Sequence, residues 1–207
     1  DYREPIDISI KNAGYSVSDV TDVIFTHLHD DHCGGATMIN GTEAEIVFKN
    51  ANFYISKSQW EWAINPNPRE SASYFKDNLM PLKNSGKLKL LDNNDNPFQD
   101  EGITLKHFNG HTQGQIIPYL HYKNQTIVYV SDFIPSTLHI PLPYIASVDI
   151  SPLTVLQEKE NFLKEAAGNN YLLVFEHDSI NEACRVGFSE RGFFANEFGN
   201  IEKLINV

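Results

Sequence analysis

The hydrophobic positions of this chain fall into short runs separated by Asn, Gly, Asp and Pro, a pattern typical of many short β-strands. Residues 23–26 form a compact β-branched and aromatic run that predicts a buried strand. Gly34 and Gly35 interrupt the chain soon afterwards. Comparable runs predict further strands at residues 46–48, 53–55, 87–91, 103–108, 115–120, 126–130 and 172–175.

Helices are predicted between some of these strands. Residues 152–167 have the clearest helical punctuation, because Ser151 can cap the start, Pro152 suits the first helical position and Gly168 follows the end. Helices interspersed with short strands predict a layered α/β architecture. Further helices are predicted at residues 6–13, 58–64 and 72–79, of which the first also shows the alternation of a strand.

Length and charge narrow the classes of function. A chain of 207 residues with a formal net charge of −11 predicts one domain over residues 1–207. No run of Lys or Arg occurs, which argues against nucleic-acid or membrane partners, and no stretch of ~18 apolar residues predicts a membrane span. Cys33 and Cys184 are too few for a disulfide framework, so we expect buried thiols and a cytoplasmic protein. We expect Lys159 to lie on a solvated face.

The chemistry is concentrated directly after the strand predicted at residues 23–26. His27, His29 and Asp31 are spaced at i, i+2 and i+4, so an extended chain would direct all three side chains the same way. His32 follows where the chain bends. Imidazole and carboxylate groups suit zinc and its first-row neighbours, and four such groups within six residues exceed what one site needs. The spacing therefore predicts two metals.

Three later segments can supply the remaining ligands, and each follows a predicted strand. His111 lies between glycines that permit a tight turn, Asp132 is placed where a carboxylate could bridge two cations, and His177 ends another strand. Taken singly, a histidine after a strand is usually a structural polar residue. Taken together, the three segments complete a ligand shell.

The sequence His27-x-His29-x-Asp31-His32 reads as the hallmark motif of the metallo-β-lactamase superfamily, and the chain resembles this family over residues 23–184. The resemblance implies a four-layer αββα sandwich and a metal-dependent hydrolase. It also implies a ligand assignment: His27, His29 and His111 for the first metal, Asp31, His32 and His177 for the second, and Asp132 as the bridge.

Within the superfamily the chain looks most similar to the lactonase-like hydrolases, since no Cys occupies a ligand position and His177 stands between Glu and Asp. This implies hydrolysis of a small ester or lactone by a hydroxide that bridges two zinc ions, with iron or manganese as alternative metals. Asp31 would also transfer the proton. His139 follows Asp132 on a proline-containing loop, which leaves substrate contact and loop packing both open.

The chain departs from the family pattern in two places. Only 26 residues precede His27, so we expect a chain truncated at its N-terminus that lacks the usual first strands, with an unpaired sheet edge that leaves a homodimer open. Asp30 adds negative charge at the mouth of the site and weighs against an acyl lactone. Two alternatives remain: a thioester hydrolase or iron-dependent oxidase on the same fold, and a metal-binding module without catalysis.

Overall fold

A computed structural model describes residues 5–205 of the chain. Its backbone contacts divide the chain into two compact units, residues 1–92 and residues 93–207. We refer to them as the first unit and the second unit. That one domain extends over residues 1–207 remains a prediction.

The first unit holds a three-stranded parallel sheet and a separate two-stranded hairpin. The sheet has the strand order β1-β4-β5, and the hairpin pairs β2 with β3. The elements in chain order are α1 (Ile6–Asn12), β1 (Asp22–Ile24), α2 (Asp30–Cys33), β2 (Thr37–Asn40), β3 (Glu43–Ile46), β4 (Asn52–Ser56), α3 (Lys57–Ile64), α4 (Lys76–Asn84) and β5 (Leu88–Leu91).

Aromatic and aliphatic side chains close the core of the first unit. Phe25 stacks on Phe53 with ring centroids 6.0 Å apart, and Trp60 of α3 is buried in the same cluster. Helix α3 begins directly at the end of β4, because the hydroxyl of Ser56 accepts a hydrogen bond from the backbone N–H of Gln59 at 3.0 Å. This cap fixes the angle at which the chain leaves the sheet.

The second unit holds a six-stranded sheet with the order β11-β10-β9-β8-β7-β6. Only the β8 and β9 pair is parallel in this part of the structure, and the other neighbours are antiparallel. Phe162 and Leu163 of α5 pack into the apolar core formed with this sheet. The elements are β6 (Ile103–Phe108), β7 (Gln115–Tyr122), β8 (Gln125–Tyr129), α5 (Pro152–Gly168), β9 (Leu172–Val174), β10 (Ala183–Ser189), β11 (Gly192–Gly199) and α6 (Ile201–Ile205).

Most predicted elements are present with shifts of a few residues, but the hairpin of β10 and β11 was not predicted. Arg185 interrupts the hydrophobic pattern of β10, because a cation is not expected in a buried strand. Its side chain is nevertheless buried, and its guanidinium donates to the carbonyl of Asn170 at 2.6 Å. Gly187 also breaks the expected pattern, since a Cβ there would lie 2.4 Å from the ring of Phe194. Both exceptions follow from tertiary contacts that a local pattern does not contain.

The prediction that Lys159 is solvated is wrong. Its side chain is buried on α5 and its ammonium donates to three backbone carbonyls, those of His139, Pro141 and Tyr144, at 2.7 to 3.1 Å. Burial lowers the pKa of Lys159 to about 8, against a raising effect from the charge of Asp149. Lys159 therefore ties the loop that follows residue 138 to α5.

The expectations for the two cysteines are confirmed. Cys33 and Cys184 are free, buried thiols, and burial raises the pKa of each to about 12. Within residues 5–205, none of the helices is both long enough and apolar enough to span a membrane.

The buried ammonium of Lys159 gives a prediction about stability and pH. Its pKa in the folded protein is below the usual 10.5, so between about pH 8 and 10.5 the folded chain binds fewer protons than the unfolded chain. Stability from this group therefore increases as the pH rises. The wild type should gain about 2 kcal/mol relative to Lys159→Met between about pH 7.5 and pH 9.5, measured by urea unfolding. A difference that does not change with pH would mean that the three carbonyls keep the ammonium at its ordinary pKa.

Candidate metal centre

The first four candidate ligands lie where β1 leaves the parallel sheet. Backbone pairing continues one residue beyond β1, since the N–H of Phe25 donates to the carbonyl of Tyr54 at 2.9 Å. His29 then occupies the N-cap position of the one-turn helix α2. Asp31 lies inside this helix, so the expected extended spacing of His27, His29 and Asp31 ends at His29. The turn is closed by the N–H groups of His32 and Cys33, which both donate to the carbonyl of His29 at 3.0 Å.

The helical turn nevertheless brings the histidines together. The ring of His27 lies 4.6 Å from that of His29 and 4.0 Å from that of His32, centroid to centroid. Oδ2 of Asp31 lies 3.5 Å from Nε2 of His32. The side chain of His32 is 3% exposed and that of Asp31 is 50% exposed, so Asp31 is the member of this group that faces solvent.

A buried carboxylate that the sequence analysis missed contacts His29. Oε1 of Glu70 lies 3.3 Å from Nε2 of His29, and both residues are buried. An ionised carboxylate only accepts hydrogen bonds, so a neutral His29 that donates to Glu70 through Nε2 would have its lone pair on Nδ1. Glu70 follows His29 by 41 residues and lies between α3 and α4, where no local pattern marks it.

In the second unit, His111 lies on a tight loop that is held against α5. The N–H groups of Ser151 and Ile150 donate to the carbonyls of Gly110 and His111 at 2.9 and 3.1 Å. The carboxylate of Glu158 in turn accepts from the N–H of Gly110 at 3.0 Å and from that of the preceding residue at 2.8 Å. A Cβ at position 110 would lie 2.4 Å from Cγ2 of Val155, so only glycine fits this approach.

The two ring nitrogens of His111 contact two different carboxylates. Nδ1 lies 2.9 Å from Oδ1 of Asp149, which is 2% exposed, while Nε2 lies 3.3 Å from Oδ2 of Asp132. Asp149 was also missed, because it lies 38 residues beyond His111 in an irregular loop. With Nδ1 held by Asp149, Nε2 is the nitrogen through which His111 can bind a metal.

Asp132 follows a strained residue at the end of β8. Ser131 is buried and has a φ of +45°, a left-handed conformation that is uncommon for residues other than glycine. The second carboxylate oxygen of Asp132, Oδ1, lies 3.0 Å from Nε2 of His177. The two oxygens of one carboxylate therefore contact two different histidines.

The loop that carries His139 is held from two sides. Thr137 donates to Oδ2 of Asp178 through its N–H at 2.9 Å and through its hydroxyl at 2.6 Å. Burial opposes ionisation of Asp178, but these hydrogen bonds and others from backbone N–H groups lower its pKa well below its usual range. His139 itself is half-buried and its Nδ1 contacts the hydroxyl of Ser136 at 2.8 Å, so its role toward a substrate remains a prediction.

The donor chemistry within each unit fits metal ions. The candidates are imidazoles and carboxylates, the ligand types that zinc, iron and manganese accept, and the rings of His29 and His111 are oriented by buried carboxylates, as is usual for histidines that bind metals. Ligand atoms of His27 and His29, and likewise those of His111 and Asp132, lie within 4.8 Å of each other. The structure therefore brings together His27, His29, Asp31 and His32 in the first unit, and His111, Asp132 and His177 in the second.

Comparison with known proteins places the chain in a family. Residues 1–177 match the sequence profile of the metallo-β-lactamase superfamily. The chain belongs to the metallo-β-lactamase superfamily. The predicted α/β fold class, enzyme class and family are thereby confirmed, and this metallo-β-lactamase-fold protein is a hydrolase of a family that uses metal ions. No curated protein sequence matches it significantly.

Solved structures with the same fold include hydrolases and lactonases. A probable metal-dependent hydrolase from Staphylococcus aureus is 27% identical with a TM-score of 0.84, over 98% of this chain and 70% of that one. The dizinc quorum-quenching lactonase AidC, in complex with the product N-hexanoyl-L-homoserine, is 25% identical with a TM-score of 0.79, over 94% and 70% of the two chains. A mutant of AiiA from B. thuringiensis, with N-decanoyl-L-homoserine bound at its active site, shares the fold at 19% identity and a TM-score of 0.66, over 84% of this chain and 62% of that one.

The close approach of Gly110 to α5 gives a prediction for the His111 loop. Gly110→Ala places a Cβ against the backbone of Val155, so the loop or the helix must move, and we expect a loss of about 1–3 kcal/mol in unfolding free energy. Thermal and urea unfolding measure it. Gly168→Ala, at the end of α5, is the matched control. A Cβ at position 168 meets nothing within 4 Å, so this substitution should leave the stability unchanged or increase it. Equal stability of the two variants would contradict the clamp.

Proposed function

We propose that this metallo-β-lactamase superfamily member is a dinuclear hydrolase of small esters or lactones, with zinc as its metal. His27, His29 and His111 would hold one ion, Asp31, His32 and His177 the other, and Asp132 would bridge them. The assignment follows the order of the family motif in the sequence, and the family match over residues 1–177 includes all seven of these residues. Two bound ions would supply an acidified water as the nucleophile and would polarise the substrate carbonyl.

The contacts of Asp132 carry this proposal. Its Oδ2 lies near His111, a residue assigned to one ion, and its Oδ1 lies near His177, a residue assigned to the other. A carboxylate that bound only one ion would not be expected to place its second oxygen beside a histidine that is assigned to the other ion. The geometry of this one side chain therefore supports a bridging role and two ions.

The substrate class follows from charge and from the similar structures. The chain carries a net charge of −11 and no cluster of Lys or Arg, so its field opposes phosphate esters and favours neutral or weakly charged substrates. AidC is a dizinc lactonase and lies at 25% identity over most of the chain. We therefore place lactones and small carboxylic esters before thioesters, for which no feature of the described residues is specific.

Asp31 is the residue to which we assign the proton transfer. It lies in the motif beside His32, and its half-exposed side chain could exchange protons with water and with a leaving group. Buried carboxylates such as Asp149 lack this access. Asp31 would thus both bind the metal and transfer the proton, while His139, on the loop that follows Asp132, would contact the substrate.

Zinc content and hydrolysis together test the proposal. After zinc reconstitution the protein should bind about two equivalents, measured by elemental analysis, and should hydrolyse members of a panel of chromogenic esters and acyl lactones. Chelation should abolish the activity and added zinc should restore it. Asp132→Ala should weaken the binding of both ions, because a bridging carboxylate is a ligand of each.

Three results would argue against this assignment. Binding of only one equivalent by well-folded protein would remove the dinuclear centre. Two equivalents without hydrolysis of any ester, lactone or thioester would favour a binding module, and activity confined to thioesters or to iron-loaded protein would favour the alternative chemistries.

Replacement of Asp31 by Asn separates proton transfer from metal binding. Asn keeps an oxygen donor and nearly the same volume but lacks the charge and the basic lone pair, so kcat should fall roughly 10²- to 10⁴-fold even with both zinc sites filled. The measurement is kcat per fully metallated protein beside the wild type. Asp30→Asn is the matched control, because it removes one negative charge at the mouth of the site without removing a proposed metal ligand, and it should therefore change kcat far less than Asp31→Asn does. Near-wild-type turnover of metallated Asp31→Asn would exclude the proton-transfer role.

A further inference from the structure

Glu70 is surrounded by hydrogen-bond donors in a way that its position on the chain does not suggest. It lies between α3 and α4 with exposed neighbours on both sides, yet it is only 3% exposed. Its Oε2 accepts from Nε1 of Trp62 at 2.5 Å and from Nδ2 of Asn67 at 2.6 Å. Its Oε1 lies 3.3 Å from Nε2 of His29 and 3.4 Å from the hydroxyl of Tyr74. Burial of a carboxylate is costly, and these four donors offset the cost.

The two oxygens of Glu70 have different partners. Oε2 faces one donor on α3, Trp62, and one in the segment that follows it, Asn67, whereas Oε1 faces the imidazole of His29. We infer that Glu70 is the positioning residue for His29: it holds Nε2 as the N–H, so that Nδ1 is the nitrogen offered to a metal. The inference rests on the metal centre proposed above and adds a residue outside the motif to it.

A purely structural role for Glu70 would require only that its side chain accepts hydrogen bonds from the surrounding donors. The hydrogen bonds from Trp62 and Asn67 hold the segment between α3 and α4 whichever nitrogen of His29 carries its hydrogen. A positioning role requires in addition that the tautomer of His29 depends on the negative charge at Oε1. The contribution of Glu70 to tautomer and to metal affinity therefore separates the two roles.

Glu70→Gln tests the charge while keeping the volume. The short contacts from Trp62 and Asn67 require an acceptor, so the amide oxygen of Gln should take the place of Oε2 and the amide nitrogen should face His29. That nitrogen is a donor, and it should reverse the tautomer so that Nδ1 of His29 carries the hydrogen. A metal must then displace this hydrogen, and we expect the affinity of one of the two zinc steps to fall 10- to 100-fold.

Two measurements check this expectation. Competition titrations with a chromogenic chelator give the two stepwise zinc affinities of the wild type and of Glu70→Gln. Imidazole ¹⁵N spectra of the full chain at mildly alkaline pH, with and without zinc, report the tautomer of His29. We expect an Nε2–H tautomer in the wild type and an Nδ1–H tautomer in metal-free Glu70→Gln.

Trp62→Phe is the matched control, because it removes a hydrogen bond to the same carboxylate at the oxygen that does not face His29. It should lower stability and leave both zinc affinities within about threefold of the wild type. Equal losses of affinity in Trp62→Phe and Glu70→Gln would overturn the inference, since the effect would then come from loosening of the segment.

The wild type alone can also overturn the inference. An Nδ1–H tautomer of His29 in the wild-type protein excludes the role of Glu70 whether or not the variants fold. Failure of the wild type to bind zinc would instead reject the proposed metal centre, while its tautomer would still show whether Glu70 orients His29. The two failures are therefore distinguishable.

Discussion

A histidine that binds a metal through one ring nitrogen almost always has its other nitrogen held by a hydrogen-bond partner, and one histidine in each unit is held in this way. His29 is held by Glu70 and His111 by Asp149, in each case through a buried carboxylate. Both carboxylates come from irregular segments about 40 residues further along the chain. The metal-binding motif therefore depends on segments that contain no motif, and these segments are ordered by their own hydrogen bonds before any ion is considered.

Helix α5 has the corresponding role for the backbone of the second unit. One face of the helix packs into the apolar core through Phe162, while its first turns hold the loop of His111 through Glu158 and through the close approach to Gly110. The next residue of the helix, Lys159, holds the loop that contains His139 through its ammonium group. A single helix thus fixes two loops with polar contacts, and its apolar packing determines where those contacts lie.

Features that a local sequence pattern encodes were predicted correctly, whereas features that depend on contacts between distant segments were not. The strand at residues 103–108, the helix that begins at Pro152 and the histidine motif are local patterns, and each appears in the structure close to its predicted bounds. Glu70 and Asp149 have no local signal, because a carboxylate on an irregular segment normally lies in solvent. Lys159 was misassigned for the same reason: its three acceptors are backbone carbonyls, which any sequence supplies.

The kinds of contact also separate groups held for chemistry from groups held for shape. Around His29 and His111 the partners are charged acceptors, which fix the position of a hydrogen as well as that of the ring. Around Lys159 the partners are neutral carbonyls, and their contacts fix the position of a loop. Each unit also has an apolar core that does not include these polar groups. The carboxylates can therefore orient the histidines without metal, and an ion that binds there has less ordering of its ligands to offset.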